Sequence, residues 1–183
     1  AADGGQTFEW MHTFFHPESP HNLLFNPGMG HLGMGLPAAI AAKSAYRDRP
    51  VVCVTGDGAF GCTIQELETA VRYKLNIVVF VFNDSHWGMY RPLGEALRSN
   101  SLSVFGTQLG YVDFGQVAKG FGCYGETIKT LEEIPAAYER AASAGKPAVV
   151  NVEVDFTPHP IDMFWVGHVL EGANLIPPEL TPS

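Results

Sequence analysis

The chain has 183 residues, 46% of them hydrophobic, which is enough for one compact domain with a real core. Its net charge of −8, from 11 scattered Lys and Arg against 19 Asp and Glu, excludes a general nucleic-acid binder, which needs clustered cations. No apolar run approaches the roughly 18 residues that span a bilayer, so no membrane segment is expected. In chain order, residues 7–15 (TFEWMHTFF) read as a helix and LLF at 23–25 as a short strand. The glycine-rich NPGMGHLGMGLP leads into an Ala-rich helix at 38–47, which stops near Asp48-Arg49-Pro50. VVCVT at 51–55 is a buried strand, and residues 63–74 place Ile64, Leu67 and Val71 on one helical face. NIVVFVFN at 76–83 is the most apolar run and reads as a central strand. A weaker helix at 112–120, a strand at 123–128, a helix at 131–144 and a strand at 148–154 follow. From Phe156 the chain is Pro-rich and aromatic with no clear period; residues 1–155 read as the domain and 156–183 as a tail that packs on it or covers its site.

The three cysteines, Cys53, Cys62 and Cys123, are few and odd in number, so they read as reduced thiols of a cytoplasmic protein. No signal peptide is visible. Ala1-Ala2-Asp3-Gly4-Gly5 reads as a strand-end turn lacking its strand, as in a fragment or a processed subunit. Strands separated by helical segments indicate βαβ units, hence an α/β fold with a mostly parallel sheet sandwiched by helices. Ligands in such folds bind outside the carboxyl ends of the strands. That places Gly56-Asp57-Gly58 and Asn83-Asp84 on one edge, each just after a hydrophobic strand.

Four chemistries compete for these residues. Residues 28–33, GMGHLG, match a dinucleotide fingerprint with Asp57 as the downstream acid, but Pro27 interrupts the preceding segment and Asp57 lies inside a glycine turn. His12 and His16 have zinc-compatible i,i+4 spacing without the intervening Glu of a metalloprotease helix; surface or capping histidines are the plain alternative. Ser44, Ser85 and the cysteines lack a nucleophile-elbow context, and Cys53 sits mid-strand as core packing. The fourth uses both strand ends. Asp57 and Asp84 supply hard oxygen ligands suited to octahedral Mg²⁺, and the amides of Gly56-Asp57-Gly58-Ala59 can cradle a diphosphate. Glycines beside the ligand let backbone approach closely. Against this stands a plain structural account, with Asp57 as a helix cap and Asn83-Asp84 as a turn.

Gly56-Asp57-Gly58 followed by Asn83-Asp84 resembles the thiamine-diphosphate motif GDG…NN. The flanks agree: GMGHLGMGLPAAIAAK upstream, IQELETA inside and HWGM downstream. Over roughly residues 3–155 the chain is similar to the cofactor-binding (PP) domain, the C-terminal third of acetolactate-synthase-like thiamine-diphosphate enzymes. The resemblance implies that Asp57, Asp84 and the His86 carbonyl bind Mg²⁺. It implies that Gly58 and Ala59, with Gly56, hold the diphosphate through the main chain. Gly5-Gln6-Thr7 matches the family's earlier diphosphate-contacting turn. Gly30 would accept from the aminopyrimidine, Leu32 would hold the cofactor bent from beneath, His86, Trp87, Gly88 and Met89 would contact the cofactor, and Met89 would also line the substrate side. Two positions depart from the pattern. Asp84 stands where the family has Asn, adding a negative charge beside a diphosphate. Leu93 stands where acetolactate synthases carry a tryptophan.

The family's activating glutamate comes from a separate (PYR) domain, which nothing in this chain resembles. Glu66 and Glu68 fall in the helix after the GDG turn and read as surface groups. The expectation is therefore half an active site, completed by a PYR-domain chain or by the rest of the same protein, in a homodimer, homotetramer or heteromer. The chemistry implied is a lyase, carboligase or 2-oxoacid decarboxylase acting on a 2-oxo acid, aldehyde or acyl-CoA. A 2-hydroxyacyl-CoA lyase, with Phe164, Trp165 and His168 closing over the site, is the alternative within that class. A non-catalytic subunit that keeps the fold, and an NAD(P)-dependent oxidoreductase, are the alternatives outside it.

Overall fold

The structure, a computed structural model, describes residues 1–26, 28–99 and 106–172, with side chains left aside at 96–99, 163 and 165. Its elements are α1 (Gln6–Phe14), α2 (Gly35–Ala45), β1 (Val52–Gly56), α3 (Asp57–Thr63), α4 (Glu66–Arg72), β2 (Val78–Asn83), α5 (Arg91–Ser99), α6 (Phe114–Gly120), β3 (Tyr124–Ile128), α7 (Glu133–Ser143), β4 (Ala148–Glu153) and α8 (Pro160–Gly172). The four strands form one parallel sheet in the order β1-β2-β4-β3. Beyond β1, Ala2 bridges Val54 in parallel, and Asp3 N donates to Val54 O at 2.9 Å.

Side-chain alternation along the strands divides the core in two. Val79, Val81, Cys53 and Val149 face one side and are covered by Leu36, Phe60, Leu67 and Phe114 from α2, α3, α4 and α6. Val78, Phe80, Val150 and Val152 face the other and are covered by Ala137 and Ala141 of α7. Each fully buried Leu or Phe contributes about 1.5–3 kcal/mol by leaving water. The α6–β3 crossing is closer than side chains permit: a Cβ on Gly115 would lie 2.5 Å from Glu126 O, and one on Gly125 would collide with Gly115 O.

The predicted strands and most helices stand within a few residues of their expected bounds, and the α/β class with its parallel sheet is the observed one. Three expectations need correction. LLF at 23–25 makes no strand; Leu24 lends one carbonyl to Ala2 N and pairs with nothing further. The helix expected over 63–74 is broken at Ile64-Gln65 into the end of α3 and α4. The aperiodic segment after Phe156 contains the helix α8, started by a proline at its first position. Among the described residues no helix is long and apolar enough to cross a membrane.

Candidate cofactor site at the carboxyl end of the sheet

Three turns emerge side by side where β1, β2 and the paired Ala1–Asp3 segment end. The first is Gly4-Gly5, with Gly5 at φ 78°, a conformation natural to glycine. It is tied down by Asp3, a residue that sequence reasoning passed over. Asp3 is buried, and its Oδ1 accepts from Gly4 N (2.8 Å), Gly33 N (2.9 Å) and Met34 N (3.1 Å). Its Oδ2 accepts from the Thr55 hydroxyl at 3.1 Å. One carboxylate thus joins the first turn, the 28–34 loop and the end of β1. It leaves Leu32 against Gly4, where a Cβ would approach Leu32 Cδ2 to 3.0 Å and Gly30 O to 2.9 Å. The only advance signal was a carboxylate before two glycines.

The second turn follows β1. Asp57 opens α3, is 5% exposed, and accepts from Gly58 N at 2.7 Å. Burial pushes its carboxyl up to about 6; Asp84 adds to the rise, while the amides of Gly58 and Ser85 oppose it. The third turn follows β2. Asn83 is spent on structure: its Nδ2 donates to Val112 O (2.9 Å) and Asn151 Oδ1 (3.0 Å), and its Oδ1 accepts from Ser85 N (3.1 Å). Asp84 is left facing forward. Its Oδ1 accepts from His86 N at 3.0 Å, and burial raises its pKa against that bond.

Gly5, Gln6, Thr7, Gly30, Leu32, Gly56, Asp57, Gly58, Ala59, Asp84, His86, Trp87, Gly88 and Met89 all line one cavity of about 770 Å³. A second, apolar half of its wall comes from the sheet face (Val54, Phe80, Phe82) and from Trp10 and Phe14 of α1. Among its described lining residues are the carboxylates of Asp57, Asp84 and Asp155, and no Lys or Arg. An anionic ligand there meets backbone amides, with Arg91 close enough to act on Asp84 from outside the lining; an added cation would be the further counter-charge. The donor set suits such a cation: two half-desolvated carboxylates that repel each other, with carbonyls nearby, are hard oxygen ligands of the kind Mg²⁺ takes. Among the described residues no three His, Cys, Asp or Glu side chains share a metal-sized space, so the remaining ligands would be carbonyls, water or the bound molecule.

The competing motifs do not converge on chemistry. The 28–33 segment neither follows a strand nor opens a helix, since α2 begins only at Gly35; Pro27 lies outside the described residues. A dinucleotide fingerprint needs that strand–turn–helix context. His12 packs edge-on to Phe8 and Phe25, at 4.6 and 4.9 Å between ring centroids. Glu66 bonds the Thr69 hydroxyl and Glu68 pairs with Arg72, both away from the cavity. In the tail, Phe156 and Thr157 line the cavity, but Phe164 is 72% exposed and stacks on His168; the Trp165 side chain lies outside what the structure describes.

The family described as "Thiamine pyrophosphate enzyme, C-terminal TPP binding domain" matches residues 3–152. The chain belongs to that family. A probable acetolactate synthase large subunit of Methanococcus aeolicus is 33% identical over 156 residues, 84% of this chain and 25% of the relative. Acetolactate synthase of Bacillus subtilis is 32% identical, over 85% of this chain and 27% of the relative. Among solved structures, benzoylformate decarboxylase of Polynucleobacter necessarius superposes with a TM-score of 0.74 at 26% identity, covering 87% of this chain and 30% of that one. A thiamine diphosphate-dependent 4-hydroxybenzoylformate decarboxylase of Rhodococcus jostii RHA1 gives 0.65 at 33% identity, over 72% of this chain and 24% of that one. The chain therefore spans about a quarter of the length of the curated relatives it matches. As a thiamine pyrophosphate-binding C-terminal domain, it carries its motif residues where the sheet edge gathers them into one cavity.

Proposed function

We propose that this domain holds thiamine diphosphate through Mg²⁺ as half of the active site of a C–C bond lyase, carboligase or 2-oxoacid decarboxylase. One observation carries the reading: two mutually repelling carboxylates, the buried Asp57 and the half-buried Asp84, stand beside glycine turns in a cavity whose described lining has no Lys or Arg. The Asp57 and Asp84 carboxylates and the His86 carbonyl hold the metal, and the amides of Gly58 and Ala59 orient the diphosphate. Gly5-Gln6-Thr7 forms the facing wall of that pocket. The Gly30 carbonyl would accept from the cofactor's aminopyrimidine, Leu32 would support the cofactor from beneath, and Met89 would face the substrate.

When bound, thiamine diphosphate supplies an electron sink for the carbanion left by cleavage next to a carbonyl. This chain's own residues anchor, bend and exclude water. The apolar half of the cavity lowers the local dielectric, which strengthens every charge interaction inside it. The glutamate that activates the cofactor comes, in this reading, from a PYR domain in a partner chain or elsewhere in the same protein. Asp84 in place of Asn adds a negative charge, offset when the cation is present.

The test is calorimetric titration of thiamine diphosphate into the protein, assembled with whatever completes its site, with and without Mg²⁺. Binding is expected only with the metal, and Asp57→Ala is expected to abolish it while circular dichroism stays unchanged. Mg²⁺-dependent binding that survives in Asp57→Ala would remove the metal role from this residue.

A further inference from the structure

The last helix meets the first through a buried acid cluster that the cofactor reading does not use. Asp162, in the first turn of α8, is 0% exposed. Its Oδ2 accepts from Gln6 Nε2 at 2.7 Å and from His159 N at 3.1 Å. Its Oδ1 is buried with no donor, and so is Glu9 Oε2, less than one turn after Gln6 on α1. Two interacting carboxyl groups, Asp162 buried and Glu9 half-buried, each with one oxygen shut off from water and from any donor, are satisfied by one shared proton. Glu9 is the natural holder. Burial, then the Asp162 charge, then a hydrogen bond to Asp162 push its carboxyl up to about 7.

The surrounding charged groups are engaged elsewhere. On α1, His12 packs against Phe8 and Phe25. In the tail, Asp155 lines the cavity, and His159 meets the Thr13 hydroxyl at 3.0 Å and lies edge-on to Trp10. On α5, which packs on α8, Arg91 bonds Glu95 and stacks on Phe156. On α8 itself, His168 and Glu171 are exposed and lie 3.9 Å apart. No described group from these elements donates to either orphan oxygen.

The same cluster orients Gln6. A carboxylate only accepts, so the Gln6 NH₂ must face Asp162 and its oxygen must face the other way. That oxygen points at the cavity: a Cβ on Gly88 would lie 2.9 Å from Gln6 Oε1 and 3.4 Å from Asp84 Oδ2. Gln6 therefore presents an acceptor beside the metal-side carboxylate, rather than a donor to the diphosphate.

We propose that Glu9 and Asp162 form a proton-sharing carboxyl pair that latches α8 onto α1 and positions Gln6. The latch stands without the cofactor reading; its effect on cofactor affinity rests on that reading. The docked pair keeps a proton that separated carboxyls release above the ordinary glutamate range. Docking is therefore strongest at low pH, weakens as pH climbs towards about 7, and is level above that.

Hydrogen exchange of the α8 amides in the cofactor-free, otherwise complete protein tests this, with rates corrected for intrinsic exchange. Protection over 160–172 is expected to fall roughly tenfold between about pH 5.5 and about pH 8. Glu9→Gln, whose amide donates to Asp162 at any pH, is expected to hold the low-pH protection throughout. Asp162→Asn, which donates to Glu9 and still accepts from Gln6, is expected to do the same and stands in if the first variant fails to fold. Protection without a pH step in wild type, or a step that survives both substitutions, overturns the latch. The Asp57 titration is common to both proteins, so the ratio of thiamine diphosphate affinities, Glu9→Gln over wild type, isolates the latch and should rise with pH by the same step; a ratio that stays flat while exchange follows the step overturns the positioning of Gln6. If thiamine diphosphate fails to bind at every pH, the cofactor reading falls and exchange alone judges the latch.

Discussion

Replacing Asp3 by alanine removes the acceptor shared by four donors, not all of which can find another. Of its partners, Gly4 N borders the cavity and can rehydrate, and the Thr55 hydroxyl can turn to Gly56 O, also at 3.1 Å. Met34 N is part-buried like Gly4 N and can rehydrate too, whereas the buried Gly33 N has no such recourse. A stranded buried donor costs about 1–3 kcal/mol, and the charge-assisted bonds lost at the three donors that can find water or another acceptor bring the total to about 2–4 kcal/mol. For a chain of this size that is a fall of about 4–16 °C in Tm. Asp3→Asn keeps an oxygen for the three amides and offers NH₂ to Thr55, exchanging charge-assisted bonds for neutral ones, at a cost of about 1–2 kcal/mol. Denaturant unfolding followed by circular dichroism measures both. The loop carrying Gly30 and Leu32 hangs on the same bonds, so thiamine diphosphate affinity should fall in the same rank order. An alanine variant within about 0.5 kcal/mol of wild type, or an asparagine variant equally damaging, refutes the idea that this carboxylate holds the three segments together.

Gly125→Ala is expected to destabilise by about 3 kcal/mol or more, because its methyl would enter the Gly115 carbonyl across the α6–β3 crossing. Gly120→Ala at the end of α6, where a methyl meets nothing within 4 Å, should be neutral or stabilising by up to about 1 kcal/mol; unfolding midpoints compare the two. A thiol reagent at mildly alkaline pH should label Cys62 rapidly and leave the other two, since burial pushes Cys53 up to about 12 and Cys123 up to about 11; peptide mapping reads the sites. Mg²⁺ affinity should decline as pH drops through about 6, where Asp57 takes up its proton, and should be level above that; titrations across the range would show no such break if Asp57 were not a ligand.

The strands were legible because they are unmixed. β2 and β4 are buried on both faces, so VVFVF and AVVNV read as continuous apolar runs. The site residues were legible through the paired GDG and ND motifs, since parallel topology sends both strand ends to one edge. What escaped notice depends on contacts distant in sequence. Asp3 is an ordinary acid until the fold brings it to Gly33 and Thr55. α8 has apolar residues all round and so no helical stripe, and its one buried acid is explained only by α1, far away in the chain. The break at Ile64-Gln65 likewise leaves Leu67 and Ala70 in the core, so a continuous pattern of burial hides a discontinuous backbone.

The cavity's charge distribution has a thermodynamic consequence. Carboxylates in a cavity whose described lining holds no Lys or Arg, with Arg91 offsetting only Asp84 from outside it, make a poor seat for a diphosphate alone, and two carboxylates make a poor cage for a small dication alone. On the proposed reading each guest supplies what the other lacks, so the two occupancies would be coupled, and by linkage whatever factor the cation contributes to cofactor affinity the cofactor would return to the cation. Titrated separately, both should look weak; titrated together, they behave as one cooperative ligand.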